Sequence, residues 1–247
     1  MGAEQEWKRE AAYEAVRMVR SGMVVGLGTG STSAFALERL AELIGRGGLG
    51  GVVAIPSSLA TRDRARELGI ELTRFECAPV IDLTIDGADE VDPALNLIKG
   101  GGGALLREKI VAQASRKLVI VVDEHKLSPQ LGCRWPVPVE IIPFARVTET
   151  RYLESLGAEV RLREAGGEAF RTDQENLILD ARFGPIEDLH GLAERLSRRA
   201  GVVEHGLFLD MTSQVIVAGP AGLRRLRRRE LRSESPGGDG PAGPGPG

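Results

Sequence analysis

A chain of 247 residues is long enough to bury a large core, as one large domain or two modest ones. Hydrophobic content of 42% and charged content of 27% fit a soluble globular protein, and a net charge of −3 argues against a dedicated nucleic-acid binder, which needs a basic excess. Cys77 and Cys133 lie far apart and form no Cys/His metal pattern, so a reducing, cytoplasmic setting without a metal is the simplest expectation.

The N-terminus carries Glu4, Glu6, Lys8, Arg9 and Glu10 where a signal peptide needs an apolar core. Apolar runs such as Leu118 to Val122 are too short to span a membrane and suit buried parallel strands. Lysine is confined to Lys8, Lys99, Lys109, Lys117 and Lys126, every other basic residue being Arg. A retained Lys in so arginine-rich a chain suggests a place that needs a compact ammonium.

Residues 4 to 20 predict an amphipathic helix with Trp7, Ala11, Ala15, Met18 and Val19 near helical spacing, ended by Ser21-Gly22. A strand from Met23 to Leu27 then runs into Gly28-Thr29-Gly30-Ser31-Thr32-Ser33, and a helix follows to about Ile44. Strand, glycine-rich turn and helix is a geometry that cradles phosphate. The turn lacks the third glycine of G-x-G-x-x-G, and no acid follows the next strand, Val52 to Ile55, to hold a ribose hydroxyl. It also lacks G-K-[ST]. The hydroxyls of Thr29, Ser31 and Thr32 suit one phosphate monoester instead, although Ser31 or Thr32 could equally cap the helix. The next helix spans Ser58 to Leu68 and is closed by Gly69.

The stretch from residue 86 to 109 reads DGADEVDPALNLIKGGGGALLREK. An apolar run, Val80 to Ile85, stops at Asp86, and Gly87 and Ala88 form a small-residue turn before Asp89 and Glu90. Leu95 to Ile98 delivers Lys99 into Gly100, Gly101, Gly102 and Gly103, and Ala104 to Ser115 has helix-forming composition. Each glycine costs about 0.5–1 kcal/mol relative to Ala in a regular element, so four in a row suggest a backbone that approaches a ligand closely. Before a helix they would aim free N–H groups at an anion. The alternative is a flexible loop flanked by solvated charges.

Strand Lys117 to Val122 and the turn Asp123-Glu124-His125-Lys126 complete a β-α alternation, which predicts an open, mostly parallel sheet with its ligand at the C-terminal edge. Asp86, Lys99, Lys126 and the threonine turn would converge there. The pattern then changes: strand 136–142, helix 147–156, strands 158–163 and 176–180, a helix opened by Pro185 and running to Arg199, and a short strand 201–204. This β-α-β-β-α-β order is ferredoxin-like and predicts a second, α+β domain inserted in the first, over 133–206. Leu207 to Leu209 and Val215 to Val217 are strands rejoining the first domain, 1–132 and 207–232. The arginines of Leu223 to Leu231 suit a solvated helix end rather than a nucleic-acid surface, and the Gly/Pro tail 233–247 is expected to be disordered.

Together GLGTGST, the 86–109 stretch, VDEHKLSPQLG and GVVEHGLFLDM resemble the type A ribose 5-phosphate isomerase family over about residues 5 to 230. The resemblance implies a Rossmann-like domain with a ferredoxin-like insert, a homodimer or homotetramer, and isomerisation of a sugar phosphate without metal or organic cofactor. It implies that Glu108 is the base, and that Thr29, Gly30, Ser31, Thr32 and Lys126 hold phosphate, with Lys8 as a helper. Asp86 and Asp89, with Gly87 and Ala88 between them, would bind sugar hydroxyls and help open the ring. Lys99 and the N–H groups of Gly100, Gly101 and Gly102 would hold the enediolate. Gly103 and Leu106 stand where the family more often has Ala and Thr, without changing the Lys99-to-Glu108 spacing. A non-catalytic sugar-phosphate sensor would need the phosphate turn but neither Glu108 nor Lys99. A metal-dependent hydrolase and a nucleotide-linked dehydrogenase lack their ligands in the sequence.

Overall fold

The computed structural model describes residues 2–228. The Gly/Pro tail and the end of the arginine-rich segment lie outside these residues. The first part of the chain runs α1 (Ala3–Val16), β1 (Val24–Leu27), α2 (Ser31–Gly45), β2 (Val53–Pro56), α3 (Leu59–Glu67), β3 (Leu83–Asp86), β4 (Glu90–Val91), β5 (Leu97–Ile98), α4 (Leu105–Gln113) and β6 (Leu118–Asp123). It continues with β7 (Val137–Ile141), α5 (Arg146–Ser155), β8 (Glu159–Leu162), β9 (Glu164–Ala165), β10 (Glu168–Ala169), β11 (Leu177–Arg182), α6 (Leu189–Ser197) and β12 (Val202–His205). The last elements are β13 (Leu207–Phe208), β14 (Gln214–Gly219) and β15 (Gly222–Arg227).

Six strands form one sheet in the order β15-β14-β6-β3-β1-β2, parallel throughout except for β15. The continuous apolar run of β6 is explained by burial on both faces, its side chains alternating between two cores. Val119 and Val121 join Ile216 and Ala218 of β14 under α1 and α2, whose Ala11, Ala15, Leu37 and Leu40 fill that side. Leu118, Ile120 and Val122 join Val215 and Val217 on the other side, against Leu95, Leu97 and Phe208. The direction in which successive strands are added to the sheet reverses at β1, which has β2 on one side and β3 on the other. Ligand crevices in open α/β sheets form at the carboxyl ends of strands flanking such a reversal. Here those ends carry Thr29 and Asp86.

A second, four-stranded antiparallel sheet has the order β12-β7-β11-β8, the arrangement expected for β-α-β-β-α-β. Val139, Ile141, Leu177 and Leu179 of this sheet pack with Leu153 of α5 and Leu192 and Leu196 of α6 in their own core. A three-stranded sheet, β13-β5-β4, links the two parts, because β5 leads directly into Lys99 while β13 follows directly on β12.

Two local expectations are corrected. The arginine-rich segment is not a helix end: β15 pairs antiparallel with β14 at the sheet edge, Arg225 reaching Glu14 and Arg228 reaching Asp210. Charged side chains on an exposed edge discourage further strand pairing. Helix α6 begins at Leu189 rather than Pro185, because the Asp188 carboxylate caps it by accepting from the Gly191 N–H at 2.8 Å. Leu207–Phe208 pairs with β5 of the first part of the chain, in the small linking sheet.

Gly26 of β1 pairs with Thr84 of β3, and a Cβ built there would stand 1.8 Å from Thr84 Oγ1 and 2.9 Å from Val111. Gly26→Ala is expected to cost about 1–3 kcal/mol by overpacking, read as a lower urea midpoint at unchanged m-value. An unaltered midpoint would mean that the sheet relaxes freely there.

Candidate active site

The turn after β1 and the start of α2 form one wall of a cleft at the sheet reversal. Gly30, with φ of +106°, is the N-cap of α2, and no side chain caps the helix. Ser31 and Thr32 therefore do not serve as caps, and the first N–H groups of α2 remain available to an anion. Thr29 is held from behind, its hydroxyl 2.9 Å from Ser57 Oγ and 3.3 Å from Thr61 Oγ1. Ser58 caps α3 by accepting from the Thr61 N–H at 3.0 Å, which fixes Thr61 and through it the turn.

Asp86 ends β3 and is buried, 1% exposed. Its Oδ1 accepts from the N–H groups of Thr29 (3.1 Å) and Gly87 (2.7 Å) and from Ser33 Oγ (3.3 Å). Its Oδ2 lies 3.1 Å from Lys99 Nζ. Gly28 makes this approach possible, since a Cβ there would stand 2.1 Å from Asp86 Oδ1. Both oxygens of Asp86 are thus engaged by protein beneath the cleft floor, whereas Asp89 lines the cleft itself.

Lys99 is at the centre. Its ammonium donates to the Gly87 carbonyl at 2.6 Å and lies 3.1 Å from Asp86 and 3.4 Å from Glu108 Oε1. Burial alone would pull this ammonium down, but the carboxylates of Asp86, Glu108 and Asp89 outweigh burial and hold its pKa above the ordinary value. Glu108, in the first turn of α4, has the opposite balance. Burial pushes its carboxyl up to about 8 and Asp86 and Asp89 add to the rise, against the pull of Lys99. Glu108 Oε2 has no hydrogen-bond partner among the described residues. A buried carboxyl with a raised pKa and an unused oxygen can take up or release a proton near neutrality.

The glycine loop closes the far wall. The Gly101 N–H is already taken by Asp89 Oδ2 at 2.7 Å, and the Gly103 N–H by the Gly100 carbonyl at 3.0 Å. Those of Gly100 and Gly102 have no protein acceptor among the described residues. Gly103, with φ of +83°, lies under Phe170, whose ring would be 2.4 Å from a Cβ at that position. This is the physical reason for a glycine there in this chain.

Every residue expected at the site is brought together. Thr29, Gly30, Ser31, Thr32, Gly87, Ala88, Asp89, Lys99, Gly100, Gly101, Gly102, Glu108 and Lys126 line one cleft of about 110 Å³, with Asp86 directly below. Lys8 of α1 also lines it, 3.9 Å from Asp123. Lys126 lies over the Trp135 ring at 4.9 Å, a neighbour that no motif signalled. Ser33, Ser57 and Thr61 were also missed. Ser33 follows the phosphate-type turn by one residue, so helical periodicity could have pointed to it.

The chemistry divides the cleft. Lys8, Lys126 and the α2 N-terminus favour an anion at one end. Asp89 offers acceptors to hydroxyls, and the Lys99 ammonium and loop N–H groups face charge that develops beside Glu108. Among the described residues, no group of three or more His, Cys, Asp or Glu is arranged to hold a metal ion.

A family model described as ribose 5-phosphate isomerase A (phosphoriboisomerase A) matches residues 53–222. The ribose-5-phosphate isomerase A of Desulfatibacillum aliphaticivorans is 58% identical over 228 residues, covering 92% of this chain and 99% of that protein. That of Chloroflexus aurantiacus is 54% identical over 220 residues, 89% of this chain and 92% of that one. Among solved structures, the Plasmodium falciparum ribose 5-phosphate isomerase has a TM-score of 0.89 at 43% identity, covering 92% of this chain and 100% of its own. A D-ribose-5-phosphate isomerase in complex with phospho-erythronic acid has the same TM-score at 38% identity, with the same coverage of both chains.

Removing Lys99 leaves Asp86 buried without its counter-charge. Lys99→Met is expected to destabilise the fold by about 3 kcal/mol or more in denaturant unfolding and to raise the Glu108 pKa further. A variant as stable as the parent would mean that the Lys99–Asp86 pair contributes nothing to the fold.

Proposed function

Because the chain belongs to the ribose 5-phosphate isomerase A family and interconverts D-ribose 5-phosphate and D-ribulose 5-phosphate, we propose that this cleft is the active site and Glu108 its base. The observation that carries the assignment is the buried, unpartnered Glu108 Oε2 beside the Lys99 ammonium. The phosphate binds at the α2 N-terminus, among Thr29, Gly30, Ser31 and Thr32, with Lys126 and Lys8 adding positive charge. Asp89 accepts from sugar hydroxyls and assists ring opening. Asp86 contributes from below by fixing the Thr29 turn and Lys99, as its hydrogen bonds favour.

In the open-chain aldose, Glu108 removes the proton from C2. The released electron pair forms the C1–C2 double bond, and O1 becomes an oxyanion. Lys99 and the N–H groups of Gly100 and Gly102 stabilise that charge, which exists only after proton removal, so they bind the enediolate more strongly than the sugar. Glu108 then returns the proton to C1. Loss of the O2 hydroxyl proton to O1 completes the ketose, with no net change in oxidation state and no need for a hydride carrier.

The protein is proposed to work in the cytoplasm, in the non-oxidative branch of the pentose phosphate pathway, as a homodimer or homotetramer. The exposed free thiols of Cys77 and Cys133 fit a reducing compartment. Phe144, 96% exposed, and Val147, 55% exposed, give an apolar patch suited to self-association. The chain is proposed to divide into 1–132 with 207–232 and an insert of 133–206, a reading supported by the separate six-stranded and four-stranded sheets. No helix of the described residues is long and apolar enough to cross a membrane.

The decisive assay follows ribose 5-phosphate conversion with EDTA present for wild type and Glu108→Gln, expected to lose about 10²–10⁴-fold in kcat. Full activity in the variant would remove Glu108 as the base, and binding without turnover in the wild type would favour a sensor. A base acts ionised, so wild-type kcat/KM should rise with pH through about 8 and level off above it. The second ionisation of the substrate phosphate, near 6, is too low to supply that limb. A profile flat from pH 7 to 9 would contradict the raised Glu108 pKa.

A further inference from the structure

We propose that Arg163, clamped by Asp180, is a positioning residue for this reaction, fixing the peptide planes of the glycine loop so that N–H groups rather than carbonyls face the enediolate. The inference rests on the loop being the oxyanion cradle described above. Arg163 directly follows β8, and Asp180 lies on the neighbouring β11. The Arg163 Nε donates to Asp180 Oδ2 at 2.9 Å and its Nη2 to Asp180 Oδ1, a two-point clamp on a largely buried pair. The remaining nitrogen, Nη1, donates to the carbonyls of both Gly100, at 2.7 Å, and Gly101, at 3.1 Å.

A planar trans peptide points its carbonyl and the following N–H in opposite directions, and no peptide bond here is cis. Drawing the Gly100 carbonyl to Arg163 therefore turns the Gly101 N–H to the opposite side, where it meets Asp89. Drawing the Gly101 carbonyl to Arg163 likewise turns the Gly102 N–H away from the guanidinium, on a residue that lines the cleft. Without Cβ atoms the loop has little intrinsic preference between this arrangement and a flipped peptide. A flip would put a carbonyl oxygen where negative charge develops. The guanidinium also pulls electron density toward the two carbonyl oxygens, which makes the attached N–H groups better donors.

Phe170 secures the same point. Its N–H donates to the Arg163 carbonyl at 2.9 Å, so the two residues close the base of the β9–β10 hairpin. Its ring covers Gly103. Arg163 is not among the residues lining the cleft and acts only through the loop.

Arg163→Met keeps an unbranched apolar stem and loses every donor, Arg163→Lys keeps one charge without the fork, and Asp180→Asn loosens the clamp. Each is assayed for kcat, KM, thermal unfolding, and inhibition by 4-phospho-D-erythronic acid and by inorganic phosphate. The acid carries a carboxylate as well as a phosphate and so tests the proposed oxyanion cradle, whereas inorganic phosphate tests only the proposed anion site at the α2 terminus. Arg163→Met is expected to lose about 10- to 100-fold in kcat with KM within about threefold. It should bind the acid about tenfold or more weakly and inorganic phosphate within about twofold, with Arg163→Lys intermediate. Unchanged kcat, or equal weakening of both inhibitors, overturns the proposal. If Arg163→Met does not fold, the ratio of the two inhibition constants in Arg163→Lys and Asp180→Asn decides by the same criterion. Binding of neither inhibitor requires a proton to be removed from carbon, so a Glu108→Gln enzyme with full activity would fault the base while leaving this inference standing.

Discussion

The buried Lys99 ammonium is the interaction on which the rest of the site depends. Moving an isolated charge out of water costs several kcal/mol even after the protein relaxes, so it must be surrounded by partners. Those partners come from the ends of separate elements: the Gly87 carbonyl and Asp86 after β3, and Glu108 on α4. Asp86 passes the constraint on, because its other oxygen organises the Thr29 N–H and Ser33 of the turn before α2. One cation thus links the turn before α2 to Glu108 on α4. The same ammonium moderates Glu108, which burial and two nearby carboxylates would otherwise make a still weaker acid.

Much of this was legible in the sequence, for identifiable reasons. Apolar runs ending in Asp86 and in the Thr29 turn mark strand ends, and strand ends are where an open parallel sheet gathers its polar groups. The five lysines were informative because the chain otherwise uses Arg: Lys8, Lys99 and Lys126 all line the cleft. Lys109 is buried too, donating to Glu204 at 2.6 Å and to the His205 carbonyl at 2.5 Å, and so ties α4 to β12. The glycine run announced a close backbone approach, but which N–H groups would be free was not readable. Asp89 occupies one of the three expected donors, a pairing set by the fold of two turns upon each other.

Other features were hidden because they depend on distant partners. The arginines of β15 have good helix propensity, and only pairing with β14 makes them a strand. Asp188 overrode Pro185 as the start of α6 because a side-chain cap satisfies an N–H, whereas Pro only fits the first turn. Asp86 looked like a cleft residue but serves beneath it. Arg163 meets Gly100 across a separation of 63 residues with no motif to announce it.

The order of the chain along the sheet has a consequence for how the protein comes into being. All side chains that line the cleft belong to the first 126 residues, but some of the residues that hold them, Trp135, Arg163, Phe170 and Gly206, come later. Lys99 takes its backbone partner from Gly206, and β6 has β14 as its outer neighbour, so the six-stranded sheet remains unfinished until residues 214–227 join it. During synthesis a nascent chain holding every reacting group would still present β6 as a raw, apolar edge. Folding rate in such a topology is governed by these long-range closures rather than by the local helices. Competence therefore arrives late and all at once, and a truncated product would be a sticky fragment rather than a feeble enzyme.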